Sequence, residues 1–207
     1  MARRREQVLD AGIQVLGSEG ARRLTYQAVD AAAGVPSGTA SNYFRNRTAL
    51  IDGIVEHLQE LERRDWEAFA AAAAPADAGE LAAAVGRFLR YATGPERART
   101  AARFALYLEA TSRPELRPAL TRGREAVVGW GAEWLRRFGS PAPQRHCGIL
   151  LDYMDGVVFR QLAFPDEDFD PVPGIRELLS GLLDRSPQDR KTTARATAPA
   201  DATPSLK

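Results

Sequence analysis

Between residues 37 and 47 the chain carries Ser37, Gly38, Thr39, Ser41 and Asn42, followed by Tyr43, Phe44 and Arg47. A solvated helix normally displays long charged side chains. Small hydroxyls, an amide and a glycine instead let a backbone come close to phosphate oxygens and to the hydrogen-bonding edges of bases. Tyr43 offers a phenol to the same anionic surface, and Arg47 a guanidinium at the start of a following helix whose positive N-terminal dipole also favours phosphate. Phe44 is expected to turn into a small core.

These residues need elements to hold them. Thr25 is placed to cap a helix of about eight residues, and Ala28, Ala31 and Ala32 keep its surface small enough for close packing. Gly34 supplies a left-handed turn, Val35 plugs the core beneath it, and a second short helix is expected to begin near Pro36 or Ser37. The pattern predicts a helix-turn-helix. Asn46 is suited to cap a long helix over 47–73, with Leu50, Ile54, Leu58, Leu61 and Phe69 along one stripe.

The 207 residues read as helix almost throughout, without an alternating strand pattern, so the fold class is all-α. Breakers at Gly20, Gly34, Pro75 with Gly79, Gly94-Pro95, Pro114, 139–143 and 165–174 divide the chain. Helical segments are predicted over 4–18, 25–33, 37–44, 47–73, 79–93, 95–112, 115–138, 143–163 and 173–185. Residues 186–207 hold one large apolar side chain, Leu206, and are expected to be disordered. The domain division that follows is a helix-turn-helix head over 1–47, a helical body over 48–185, and a tail over 186–207.

The net charge is +1, distributed as +3 over the first 47 residues, with seven arginines against four acids, and −2 over the rest. A modestly basic head on a near-neutral body fits a nucleic-acid-binding end attached to something else. No apolar run reaches 18 residues and no apolar core follows the three N-terminal arginines, so neither a membrane span nor a signal peptide is expected, and the cytoplasm is the expected location. The single Cys147 excludes an internal disulfide.

The N-terminal helix ending at Gly20, then Leu24-Thr25, Ala-Ala-Gly34-Val, Gly38-Thr39, Tyr43-Phe44, Asn46-Arg47 and Leu50, resembles the TetR family of transcriptional repressors over about residues 4–55. The resemblance implies a DNA-binding head, a long connecting helix, and a ligand-sensing body that dimerises through its last two helices. By position it places Tyr26, Thr39 and Tyr43 on phosphates with Arg47 nearby, and Gln27, Ser37, Gly38 and Asn42 toward base edges; Thr25 and Ser41 complete the expected DNA-facing set. Arg3, Arg4 and Arg5 are expected to form a flexible arm on the backbone or in the minor groove. The family usually has tyrosine where Ser41 stands, which implies an altered base preference or weaker clamping of the backbone, and lysine where Arg47 stands, a change that keeps the charge.

In the body, Phe88 with Tyr91, Phe104 with Tyr107, and Trp130 with Trp134 recur at helical spacing. Together with Arg103 they are the candidate lining of an apolar pocket for a planar or lipophilic small molecule; Glu109 is a further polar candidate. Helices over 143–163, with Ile149, Leu150, Tyr153 and Val157, and 173–185, with Ile175, Leu178, Leu179, Leu182 and Leu183, are expected to build a two-fold homodimer as a four-helix bundle. No catalytic constellation is found. His57 and His146 lack a partner pattern, His146-Cys147 is a poor metal pair, and Glu109, Asp152 and Asp155 lack paired-acid spacing, so no catalytic residue, metal or cofactor is expected. The function predicted is a ligand-released repressor reading a palindromic double-stranded operator. The alternatives are a DNA-binding regulator controlled by a protein partner, with a fully packed body, and an all-helical enzyme.

Overall fold

In the computed structural model, residues 2–184 are described and carry nine α-helices and two short 3-10 turns. The expected tail over 186–207 lies outside the described residues. The helices are α1 (Ala2–Glu19), α2 (Tyr26–Ala33), α3 (Thr39–Tyr43), α4 (Arg47–Ala72), α5 (Ala78–Thr93), α6 (Arg97–Ser112), α7 (Arg117–Arg137), α8 (Pro143–Ala163) and α9 (Val172–Leu183). None of them is long and apolar enough to cross a membrane.

Local chemistry sets several ends as expected. Thr25 Oγ1 accepts the Ala28 amide at 3.1 Å, and Asn46 Oδ1 accepts the Ala49 amide at 2.8 Å. Gly34 adopts φ 62°, where a side chain would be strained. Two readings change. Residues 36–38 form a turn rather than the start of α3, because Thr39 donates both its amide and its hydroxyl to the Pro36 carbonyl and Gly38 sits at φ 91°. Ala31 and Ala32 are exposed, so of the three alanines only Ala28 serves close packing as expected, with Ala33 buried as well.

Two apolar clusters organise the chain. One joins Val8, Leu9, Ile13, Val15 and Leu16 of α1 to Val29, Phe44, the first half of α4 from Leu50 to Leu58, and Ala102, Leu106 and Ala110 of α6. The packing therefore does not break at residue 47: the head's core extends into α4 and α6. The other cluster joins Leu81, Val85 and Leu89 of α5 to Leu135 of α7, Leu150, Met154 and Val158 of α8, and Ile175 and Leu179 of α9. Helix α4 spans both, with Trp66 and Phe69 against the second cluster. Helix α6 packs along α1 so tightly that a Cβ at Gly17 would lie 1.8 Å from the Ala98 carbonyl oxygen.

Candidate nucleic-acid interface and ligand cavity

Helix α3 has no side-chain cap of its own, since its N-cap is Gly38. Its first amides are satisfied from below. Asp30, 3 % exposed, accepts Gly38 N through Oδ2 and Ala40 N through Oδ1, each at 2.7 Å. Ala40 and Phe44 are buried, so α3 is pinned by its inner edge while Ser37, Ser41 and Asn42 stay exposed and Gly38, Thr39 and Tyr43 are half-buried. Sequence reasoning passed over Asp30. Its signal was a lone acid on a short alanine-rich helix, followed by a helix whose cap position lacks a side chain.

Several expected phosphate donors are already engaged. Tyr26 Oη donates to the Phe44 carbonyl at 2.6 Å, fastening α2 to the end of α3. Thr39 Oγ1 donates to Pro36 O at 2.6 Å and Ser41 Oγ to Gly38 O at 2.9 Å, while Arg47 Nη2 reaches Ala21 O at 2.7 Å. A hydroxyl proton given to a carbonyl is not available to a phosphate. Tyr26 and Thr39 are thus braces of the corner in this structure. Arg47 keeps further donors and an exposed position. Arg3, Arg4 and Arg5 are exposed but lie within α1, so the expected flexible arm is replaced by a helical basic turn, with Arg5 5.3 Å above the Phe44 ring. Thr25 and Gln27 are exposed at the start of α2.

In the body a cavity of about 920 Å³ opens between α4, α5, α6, α7 and α8. Of the expected lining residues, Phe88, Arg103, Tyr107 and Trp130 reach it. The other three do not. Tyr91 points outward and is 41 % exposed, because one helical step beyond Phe88 already leaves the inner face. Phe104 packs on Tyr107 and Phe159, and Trp134 stands behind Trp130 and against Phe69. Glu109 is also absent from the wall. The wall gains Trp66, whose ring lies 4.4 Å from that of Phe88, and the carboxylates Glu62 and Asp155.

Those two acids flank Arg103. Arg103 Nη1 is 3.4 Å from Glu62 Oε1, and Nη2 is 3.5 Å from Asp155 Oδ1. Burial pushes the Glu62 carboxyl above the ordinary 4.5, with Arg103 and Arg99 opposing it. Burial likewise raises Asp155 against Arg103 and Arg124, and pushes the Tyr107 phenol up to about 12. Burial works to lower Arg103, but Glu62, Tyr107 and Asp155 outweigh it, so the guanidinium stays charged. Each histidine has a polar partner that its own sequence neighbourhood did not reveal: His57 Nε2 lies 2.7 Å from Asp10 Oδ1, and His146 Nδ1 lies 2.8 Å from Ser140 Oγ.

A pinned helix-turn-helix joined by one long helix to a cavity-bearing helical body is the architecture of a DNA-binding regulator. Residues 8–54 match the family model of bacterial regulatory proteins of the tetR family, and residues 76–185 match the tetracyclin repressor-like C-terminal domain. The chain belongs to the TetR family of DNA-binding transcriptional regulators. Among solved structures it is similar to a TetR-family member from Streptomyces coelicolor A3, with 29% identity, 88% of this chain and 99% of that one covered, and a TM-score of 0.68. It is also similar to the multidrug binding protein EbrR complexed with proflavin (30% identity, 86% and 99% covered, TM-score 0.56) and complexed with malachite green (25%, 87% and 98%, 0.64). A sequence comparison with curated proteins gives no match.

Proposed function

We propose that this regulator is a homodimeric repressor that holds a palindromic operator and releases it when a flat, lipophilic aromatic cation enters the body. The observation that carries this reading is the course of α4. One unbroken helix starts at Arg47, beside the end of α3, and lines the cavity from Glu56 to Ala71. A ligand that favours one placement of the far half of α4 biases the head at its near end, through differential affinity for the two states. The ligand class follows from the aromatic wall of Trp66, Phe88 and Trp130, and from the carboxylates Glu62 and Asp155 beside it. EbrR, which resembles the chain, is a multidrug binding protein complexed with proflavin and with malachite green.

Exposed Ser37, Asn42 and Gln27 would read base edges, Ser41 could do so only as an acceptor, and Arg4, Arg47 and Tyr43 would lie on phosphates. Dimerisation through α8 and α9 is supported, on α8, by exposed apolar side chains: Ile149 and Phe159 on the helix and Phe164 at its C-cap are 36 %, 54 % and 70 % exposed. On the same face a Cβ at Gly156 meets nothing within 4 Å, so a partner helix has room to approach.

Fluorescence anisotropy with a labelled palindromic fragment from upstream of the protein's own gene tests the reading. Binding should fall steeply with salt and reverse on addition of malachite green, with a scrambled duplex run alongside to account for dye on DNA. Binding indifferent to sequence at low salt would sink the operator reading. Dye that binds the protein without releasing DNA would sink the induction reading.

A further inference from the structure

Arg103 sits in a place that fits it poorly. A guanidinium has five N–H donors. Here Nη1 and Nη2 reach carboxylates only at 3.4 and 3.5 Å, well beyond the roughly 2.7–2.9 Å of a well-made charge-assisted bond. Nε is buried and meets no acceptor among the described residues. By contrast, Arg124 closes on Asp152 at 2.6 Å only a turn before Asp155 on α8. Glu62, Arg103 and Asp155 come from three different helices, α4, α6 and α8, and all three line the cavity. Two carboxylates therefore face one cation that neither of them grips closely, its Cζ 5.2 Å from the Phe104 ring centroid. Arg124 approaches Asp155 only at 3.7 Å while closing on Asp152 at 2.6 Å.

We propose that Arg103 is a built-in stand-in for the cationic end of the effector: the ligand's charged nitrogen takes the guanidinium's place between Glu62 and Asp155, and Arg103 is displaced. The inference rests on the aromatic-cation reading above and narrows it. What replaces a guanidinium in this slot is a cation delocalised over an aromatic system, held most tightly where it is flat and rich in N–H, as in an amino-acridinium or an aryl amidinium. A bulky aliphatic quaternary ammonium offers neither a delocalised charge nor a donor to the two carboxylates. Trp66, Phe88 and Trp130 then hold the ring system to which that group is attached. The exchange also has a route outward. Arg103 is on α6, whose first turn is pressed against α1 at Ala98 and Gly17, and Arg99, one turn before Arg103, pairs with Asp65 of α4.

The stand-in role predicts a sign that an ordinary lining role does not. Removing an internal competitor tightens binding, whereas removing a wall contact loosens it. Proflavin fluorescence titrations on the full chain, without DNA, read this directly. Arg103→Met should bind proflavin about tenfold more tightly than the wild type, the equivalent of one charge-assisted hydrogen bond. Glu62→Gln should bind it about tenfold more weakly. If circular dichroism shows that methionine at this site loosens the body, Arg103→Gln keeps a polar side chain of similar reach and should shift affinity in the same direction. Wild-type binding with Arg103→Met and Arg103→Gln unchanged or weaker overturns the stand-in while the ligand reading survives. Proflavin binding by neither the wild type nor the Arg103 variants overturns both.

Discussion

Asp30 Oδ2 accepts the Gly38 amide at 2.7 Å, and this bond joins the middle of the first helix of the turn to the cap of the second. With the equal bond from Ala40 N it replaces the cap that a glycine cannot provide. Hydrogen bonds to an ionised group contribute about 1.5–3 kcal/mol each, and an amide left buried without a partner costs a similar amount. Asp30→Ala should therefore lower unfolding free energy by about 3 kcal/mol in urea titrations. It should also lower operator affinity more than tenfold under conditions where the chain is still folded, about 1.4 kcal/mol or more. Operator affinity unchanged in folded Asp30→Ala would mean that α3 needs no such anchor.

How much of this corner was legible depends on the range of each interaction. Thr25, Gly34 and Asn46 obey rules that act within four residues, and the structure puts each in its expected role. Asp30 acts on residues eight and ten positions away, through a turn whose geometry is set by Pro36 and Gly38. Spacing alone does not reveal such an acceptor. The cavity was legible only as a composition of aromatics. Phe88 and Tyr91 are three residues apart and share a helical side, yet the edge of the cavity falls between them. Trp66 was hidden because the stripe of α4 was read from its aliphatic residues, and Glu62 because an acid on a long helix looks like solvated surface until three helices close around it.

Tyr26 and Asn42 should separate bracing from reading. Tyr26→Phe removes the bond to the Phe44 carbonyl and should cost about 1 kcal/mol of stability, seen as a lower urea midpoint. Asn42 is exposed, so Asn42→Ala should leave that midpoint within about 0.5 kcal/mol while reducing discrimination between operator and altered operators by about 1–3 kcal/mol. Arg4→Ala should instead weaken all duplexes alike and lower the salt slope by about 1. A uniform loss with Asn42→Ala would remove it from the base-reading set.

Glu62 gives the cavity a pH dependence. Burial raises its carboxyl above 4.5 although Arg103 and Arg99 of α6 oppose the shift, and the neighbouring Asp155 of α8 and Asp65 of α4 add to it. Because the folded chain holds this proton more tightly than the unfolded one, the group's contribution to stability is largest below 4.5 and is lost as pH rises through the raised value. Cation binding runs the other way, since it needs the ionised acid. Ethidium, whose quaternary charge does not titrate, should bind more weakly as pH falls from 7 toward 4.5, by at most about tenfold per unit for each proton taken up. Glu62→Gln should make the profile shallower, leaving the part that Asp155, also raised by burial, contributes. A wild-type profile that is already flat would exclude a carboxylate from the ligand's charge.

Phe159 and Ile149 are both exposed on α8, and Phe159, which meets Phe104 of α6 along part of its ring, is the more exposed of the two. Phe159→Asp places a charge where the proposed two-fold contact would bury it against its own copy. Sedimentation velocity should show a shift from dimer to monomer, with operator affinity falling because the two heads are no longer held together. The same dimer population in the variant and the wild type would place the interface elsewhere.

Gly17 and Gly129 are both helical, yet alanine should act on them in opposite directions. At Gly129 a Cβ meets nothing within 4 Å, so Gly129→Ala gains helix propensity and should raise stability by about 0.8 kcal/mol. At Gly17 the Cβ would lie 1.8 Å from the Ala98 oxygen, a backbone atom that can yield only if α1 and α6 move apart. Gly17→Ala should therefore cost about 3 kcal/mol, at the upper end for overpacking, since the helices carry the core residues Leu9, Leu16, Ala102 and Leu106 with them. Because α6 also carries Arg103, the substitution should weaken the effect of ligand on DNA affinity more than it weakens either binding event alone. Thermal unfolding of the two variants, with malachite green titrated into the protein–DNA complex of each, measures both effects. A Gly17→Ala protein as stable and as responsive as the wild type would mean that the α1–α6 contact carries neither the packing nor the signal.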